Sequence, residues 1–312
     1  MLASPTPVSD FDPFADAFLR DPYPYHEAMR EAGSVVRLER YGIWATARYA
    51  EVTTVLGDHV AYCSSAGVGL SDFRKEPPWR PPSIILEADP PLHATTHRIL
   101  MRALSPAALR DLRPMLEREA DVLVDALLQR GGAIDGIADL ARAYPLKVFP
   151  DAVGVRPDGR ENLLPYGNMV FNAFGPRNEL FVTAMGHAQQ VVAWITAACD
   201  RDALASGGIG RSVYEACDAD AVPYDDARLL VRSLLSAGLD TTVNAIGNAL
   251  FCFASFPDQW DVLRADPSLA RAAFDEALRL ESAVQTFFRT TTRDVELGGI
   301  AIGAGEKVLT FL

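Results

Sequence analysis

Four short stretches of the 312-residue chain hold side chains suited to chemistry. The first is Ala237-Gly238-Leu239-Asp240-Thr241-Thr242. An acid beside an alcohol can relay protons, because both groups donate and accept hydrogen bonds. Leu230, Leu234, Gly238, Thr241, Ala245 and Ala249 recur at steps of three or four and share one helix face. The middle of that face is small, which leaves room for something flat and large. Gly238 weakens a helix by about 1 kcal/mol relative to Ala. Thr241 can bond back to a carbonyl and bend it. The same hexapeptide also suits an ordinary helix–helix contact with a solvated Asp. The second stretch is Glu276-Ala277-Leu278-Arg279, whose Glu and Arg share a helix face. A surface pair of that kind contributes only about 0.2–0.5 kcal/mol. The third, Asp89-Pro90-Pro91-Leu92-His93, precedes a helix, and the fourth is Phe287-Phe288-Arg289.

The elements that must position these residues are mostly helical. Residues up to about Tyr25 are rich in Pro and Asp and read as an irregular arm. A short helix is expected over Tyr25–Glu31, a strand pair over Val35–Glu39 and Ile43–Ala47, and a helix over Ala50–Leu56. Cys63 to Pro82 is a long loop, of the kind usually functional in compact domains. Ser105-Pro106 opens a helix to about Gln129, which Gly131-Gly132 stops. Further helices fit Ile137–Val153, Glu161–Phe174 and Asn178–Leu204, with a break at Gly207–Gly210. The longest helix is expected from Pro223 to Ser255, with a short one after Pro257 and another over Ser268–Ser282. Thr286 to Leu312 reads as short strands around Gly298-Gly299 and Gly303. The fold class is mainly α with small β-sheets, as one unit without a linker.

Composition narrows the function classes. Lys and Arg number 29 against 41 Asp and Glu, a net charge of −12. Nonspecific nucleic-acid binding needs clustered cations and is not expected. Apolar residues make up 49% of the chain, enough for a large core. No apolar run is long enough to span a membrane. Met1 to Phe11 lacks a basic and an apolar signal region. Cys63, Cys199, Cys217 and Cys252 form no CxxC pair, so disulfides and zinc are not expected and a cytoplasmic location follows.

Taken together, the order and spacing of the four stretches resemble bacterial cytochromes P-450, the haem-thiolate monooxygenases. The resemblance runs from Asp21-Pro22-Tyr23-Pro24 to the last strand. It implies a P-450 fold in which Ala237 and Gly238 make room for dioxygen and Asp240 and Thr241 help deliver protons. Glu276 and Arg279 match the family's structural ExxR pair. His93 and Arg289 match haem-propionate ligands. Where relatives carry Arg four residues after this His, the chain has His97, followed by Arg98, and either can take that contact. The implied cofactor is b-type haem, and the implied partners are a ferredoxin and its reductase carrying electrons from NAD(P)H. A monomer is implied.

A narrower resemblance is to P-450s that oxidise para-substituted benzoates. It rests on the strings 64–73, 78–83, 170–176 and 231–236. It implies that Arg80, Ser83, Arg232 and Ser233 bind a carboxylate, and that Leu86, Phe171, Phe174, Val284 and Phe287 line an apolar pocket. Independently, Ser233, Ala237 and Thr241 stand at i, i+4 and i+8 of the long helix, spanning roughly 12 Å. A flat aromatic acid fits that interval, and Arg suits two-point carboxylate binding.

The family's iron is held by a cysteine in a Gly-rich loop well after the ExxR helix. None of the four cysteines sits in such a loop, so no metal ligand is assigned. The chain is therefore expected to be one P-450 domain, residues 1–312, incomplete at its C-terminus. As such it is expected to bind haem poorly by itself and to be inactive. The alternatives are an inactive fragment or non-catalytic haem binder, a helical interaction protein, and a monooxygenase of a different small apolar substrate. An interaction protein should have filled the small-residue face at Ala237, Gly238 and Ala245.

Overall fold

The computed structural model describes residues 7–312; Met1–Thr6, part of the expected non-signal N-terminus, lie outside them. The chain packs as two compact units. Unit 1 comprises Met1–Thr95, Phe171–Thr183 and Gln285–Leu312, and unit 2 comprises Thr96–Val170 and Ala184–Val284. The helical content and small sheets agree with the expected fold class.

Unit 1 is built on strands β1 (Val8–Ser9), β2 (Val36–Leu38), β3 (Ile43–Thr46), β4 (Tyr62–Cys63), β5 (Thr286–Thr291), β6 (Val295–Leu297), β7 (Ile300–Ile302) and β8 (Lys307–Phe311). The main sheet has the order β1-β2-β3-β8-β5-β4, and β6 pairs with β7. Strand β8 lies parallel to β3 and antiparallel to β5, and all five of its residues are buried. The alternation of a strand divides its side chains between two cores. Leu309 and Phe311 join Phe18, Leu38, Ile43 and Phe288, whereas Val308 joins Val35, Val55, Tyr62 and Ile302. The expected hairpin over residues 35–47 is present, turned by Gly42 at φ +59°. The N-terminal arm is not irregular throughout. It contains β1 and a helix over Asp16–Arg20, because Phe18 is buried among the aromatic rings of Phe11, Tyr25 and Phe311.

Unit 2 is helical. The Pro106–Arg130 helix starts as its sequence demands: the Ser105 hydroxyl accepts the Ala108 amide at 3.4 Å, with Pro106 at the first position. Asp135 caps a wide helical turn over Gly136–Arg142, which runs into the Ala143–Val153 helix. Four expectations need correction. The 161–174 segment narrows to a helix over Leu163–Asn172, which spans the boundary between the units. The 178–204 segment is two helices, Glu179–Ala184 and Ala188–Ala198, interrupted by a tight turn. Gly208 precedes a further helix, Ile209–Ala219, which buries Ile209, Val213, Tyr214 and Cys217 at helical spacing. The 223–255 segment is two helices, Tyr224–Gly238 and Asp240–Ser255, broken at Leu239. Helices over Pro257–Ala265 and Ala270–Leu280 follow.

Candidate functional site

The break at Leu239 sits inside the acid–alcohol stretch. Thr241 donates its hydroxyl to the Ala237 carbonyl at 2.6 Å, and Thr242 does the same to Gly238 at 2.8 Å. Such back-bonding competes with the helical ladder and bends it, most easily next to a glycine. The bend expected from Thr241 is thus present, and it is sharper than expected. Gly238 is the close-approach point: a methyl there would overlap the ring of Phe149. Ala237 faces outward and is exposed.

Asp240 is not a solvated carboxylate. Its Oδ2 is buried without a hydrogen-bond partner, and burial raises its pKa to about 6. A neutral carboxyl near pH 6 next to a threonine hydroxyl can both release and take up a proton around neutrality. Upstream, Arg232 and Ser233 are buried, at 8% and 6% exposure. Ser233 donates to the Leu229 carbonyl at 2.9 Å. Arg232 lies near Cys199, whose thiol burial pushes up to about 12 despite that cation.

The remaining unit 2 candidates are more exposed. Glu276 and Arg279 make a two-point pair, with both contacts at 2.7 Å, on the open face of their helix. Val284 is half-buried. His97 and Arg98 are exposed, and Arg98 is held by Asp220 at 3.4 Å together with Arg102.

In unit 1, Arg80 is buried but already engaged. Its Nη1 donates to Glu87 Oε2 at 3.3 Å and to the Pro81 carbonyl at 2.9 Å, while its Nε has no partner. The same Glu87 oxygen accepts the Ser83 amide at 2.6 Å. Ser83 is buried, and Leu86 is half-buried beside this pair. The adjoining cavity, lined by Gly69, Phe73, Trp79 and Phe174, measures about 40 Å³. That is space for water, not for an aromatic ring. Phe171, Phe174 and Phe287 form an aromatic group, with centroids 5.8 Å and 6.4 Å apart. Gly69 lets the loop lie directly on the Phe174 backbone, and Leu70 donates to the Phe174 carbonyl at 2.8 Å.

The long loop is held at further places. Asp89 accepts the Ser64 and Ser65 amides at 2.8 and 3.0 Å. Burial opposes ionisation of Asp89, but these donors outweigh it and hold the pKa below the usual value. Phe288 donates its amide to the Val68 carbonyl at 3.1 Å. Lys307 donates to the Gly67 and Ala66 carbonyls at 2.8 and 3.2 Å, and burial lowers its pKa to about 8. Sequence reasoning missed Glu87, Lys307 and Gly167, which faces Asp240. Glu87 sits in irregular backbone and Lys307, on β8, reaches carbonyls of an irregular loop, so no periodicity marks either contact.

The residues present fit haem in part. His93 is half-buried one turn after Asp89. Arg289 is half-buried and donates to the Phe288 carbonyl at 2.8 Å. Burial lowers its pKa, partly offset by Asp89 and Cys63. A desolvated guanidinium of this kind suits a carboxylate such as a propionate. All four cysteines are free and buried, and no group of three or more His, Cys, Asp or Glu side chains that could hold a metal ion forms among the described residues.

No protein-family model matches the chain. Among curated proteins, cytochrome p450 CYP199A2 of Rhodopseudomonas palustris is 58% identical over 306 residues, covering 98% of this chain and 74% of the relative. Vitamin D(3) 25-hydroxylase of Pseudonocardia autotrophica is 28% identical, covering 99% and 77%. Among solved structures, cytochrome P450 CYP109Q5 from Chondromyces apiculatus matches with a TM-score of 0.77 at 27% identity, covering 96% of this chain and 75% of that one. Members of this family are monooxygenases that use haem and receive electrons from redox partners. With 58% identity along nearly all of its length and the same fold, the chain belongs to the cytochrome P-450 family.

Proposed function

We propose that the intact parent of this P-450 chain inserts one oxygen atom from O2 into a small aromatic carboxylic acid, by O-demethylation or hydroxylation of a para-substituted benzoate. The observation that carries the reading is burial. Arg80 and Arg232 are the arginines buried among the described residues, each with a buried serine close by in sequence. A guanidinium and a hydroxyl held out of water together suit charge-assisted binding of a carboxylate. Each unit thus offers an Arg–Ser pair as carboxylate donors: Arg80 with Ser83, and Arg232 with Ser233. Phe171, Phe174 and Phe287, with Leu86 and Val284, supply apolar lining.

In this reading His93 and Arg289 hold the propionates of haem, and His97 takes the further contact, since Arg98 is engaged by Asp220. Bound haem supplies dioxygen activation. Asp240 and Thr241 hold and pass protons at the Asp240 carboxyl and the Thr241 hydroxyl, while Ala237 keeps bulk away from that point and Gly238 admits the Phe149 ring beside it. Glu276 and Arg279 are structural. Residues 1–312 belong to a single P-450 domain. A ferredoxin and its reductase deliver electrons from NAD(P)H in the cytoplasm.

The test is a spectral titration of the haem-loaded full-length parent enzyme with para-methoxybenzoate and its methyl ester. The acid should shift the spin state and the ester should not. A shift with neutral compounds alone would support a second reading, oxidation of a small uncharged substrate. The Glu87 carboxylate favours that second reading, because it already neutralises Arg80.

A further inference from the structure

We propose that Gly167 is the positioning residue for the Asp240 carboxyl: its missing side chain leaves the seat that keeps that carboxyl out of water. The inference rests on reading Asp240 as the acid of the acid–alcohol pair, but its test does not. Gly167 lies on the Leu163–Asn172 helix, buried between Tyr166 and Met169. A Cβ placed on it would overlap Asp240 Oδ2, crowd the carboxyl carbon and stand 2.9 Å from Oδ1. All three carboxyl atoms therefore lie against the bare glycine backbone. No side chain at 167 larger than hydrogen is compatible with this placement.

The seat holds the group without a charged partner. The only cause acting on the Asp240 ionisation is burial. Among the described residues, several charged groups on the helices packed nearby pair with other acids. Lys147 pairs with Asp151, Arg130 with Asp139, and Arg279 with Glu276. On the Tyr224–Gly238 helix, Arg228 pairs with Asp200 and Asp225. On the Pro257–Ala265 helix, Arg264 pairs with Asp261. The character of this acid is thus set by the shape of the seat and not by a neighbouring charge. Glycine in a helix interior is unfavourable relative to alanine, so the seat is maintained against local propensity. Relief from an added methyl group must come from rotation of the Asp240 side chain, which carries the carboxyl toward water.

The test follows Asp240 directly, with 13C-labelled aspartate in the 312-residue chain and Asp240→Asn to assign its carboxyl signal. The wild-type signal should titrate with a midpoint of about 6. In Gly167→Ala the midpoint should fall by about one pH unit or more, toward that of an exposed carboxyl. An unchanged midpoint in folded Gly167→Ala, or a wild-type midpoint already in the ordinary range, overturns the proposal. If Gly167→Ala lowers the melting temperature, Gly167→Ala/Asp240→Ala should restore it, because the methyl then fills the vacated seat. Lack of restoration counts equally against the proposal. The aspartate titration and the melting curves use neither haem nor substrate. A failed substrate assignment is therefore distinguishable from a failed seat.

Discussion

Replacing Glu87 by Gln isolates the most consequential ion pair of unit 1. The Arg80 and Glu87 side chains are 6% and 4% exposed, so both charges are out of water. Removing one partner of such a pair leaves an uncompensated buried charge, at a cost of about 3–5 kcal/mol. Gln keeps the shape and can still accept the Ser83 amide, so roughly 1 kcal/mol of hydrogen bonding survives. Arg80 also keeps the Pro81 carbonyl and its stacking on Trp79, 5.5 Å away. The expected loss is therefore at the low end, about 3 kcal/mol, or more than a hundredfold in the unfolding equilibrium. Urea denaturation followed by circular dichroism measures it. Arg80→Met/Glu87→Leu should recover most of the loss, since apolar replacement of a buried pair is often neutral. Wild-type stability in Glu87→Gln would refute the reasoning, as would an Arg80→Met cost independent of residue 87. The same variant also bears on function. If Arg80 reads a substrate carboxylate, freeing it from Glu87 should tighten benzoate binding in the haem-loaded full-length parent enzyme.

Three further outcomes are expected. Burial lifts Asp240 from the usual 3.8 to about 6 in the folded chain. That contribution to stability is complete below pH about 4 and is lost as pH rises through 6, by about 2 kcal/mol after allowance for partial exposure. Asp240→Asn should flatten this part of the pH–stability curve, and an unflattened curve rules the assignment out. Lys307→Met takes the donors from two loop carbonyls, costing about 1–3 kcal/mol. Amide exchange at Gly67 and Phe73 should accelerate while the Tyr224–Gly238 helix stays protected, and equal protection at all sites would contradict the clamp. Gly238→Ala gains about 1 kcal/mol of helix propensity but collides with Phe149, for a net loss of about 1–2 kcal/mol. Thermal melts should show recovery in Gly238→Ala/Phe149→Leu, and no recovery would mean that Phe149 is not the obstacle.

Legibility in the sequence followed the physics of each element. Ser105-Pro106 and Gly131 marked their helix because caps are local chemistry. The strands after Thr286 were legible from β-branched composition, but their places in the sheet were not, since pairing is nonlocal. The Ile209–Ala219 helix was obscured by Gly208 and Gly210, although its buried residues keep helical spacing. The Leu239 break was half visible: Thr241 signalled a bend, but the second hydroxyl at Thr242 and the Phe149 ring over Gly238 were needed for a full break. In the candidate site, Arg80 and Arg232 were singled out by motif resemblance, whereas their burial was not legible. Nor was the Glu87 partner, because a contact seven residues away across irregular backbone leaves no period to read.

The central place of β8 has a bearing on synthesis. Trp44 of β3 pairs with Val308, roughly 260 residues later in the chain. At a translation rate of about 5–20 residues per second, β3 waits some 10–50 s for its neighbour. All of unit 2 is made during that interval, so its helices can pack while the six-stranded sheet still lacks its middle strand. Until β8 arrives, β3 and β5 present open edges to other nascent chains, a hazard that co-expression of a chaperone should relieve more than lowering the salt.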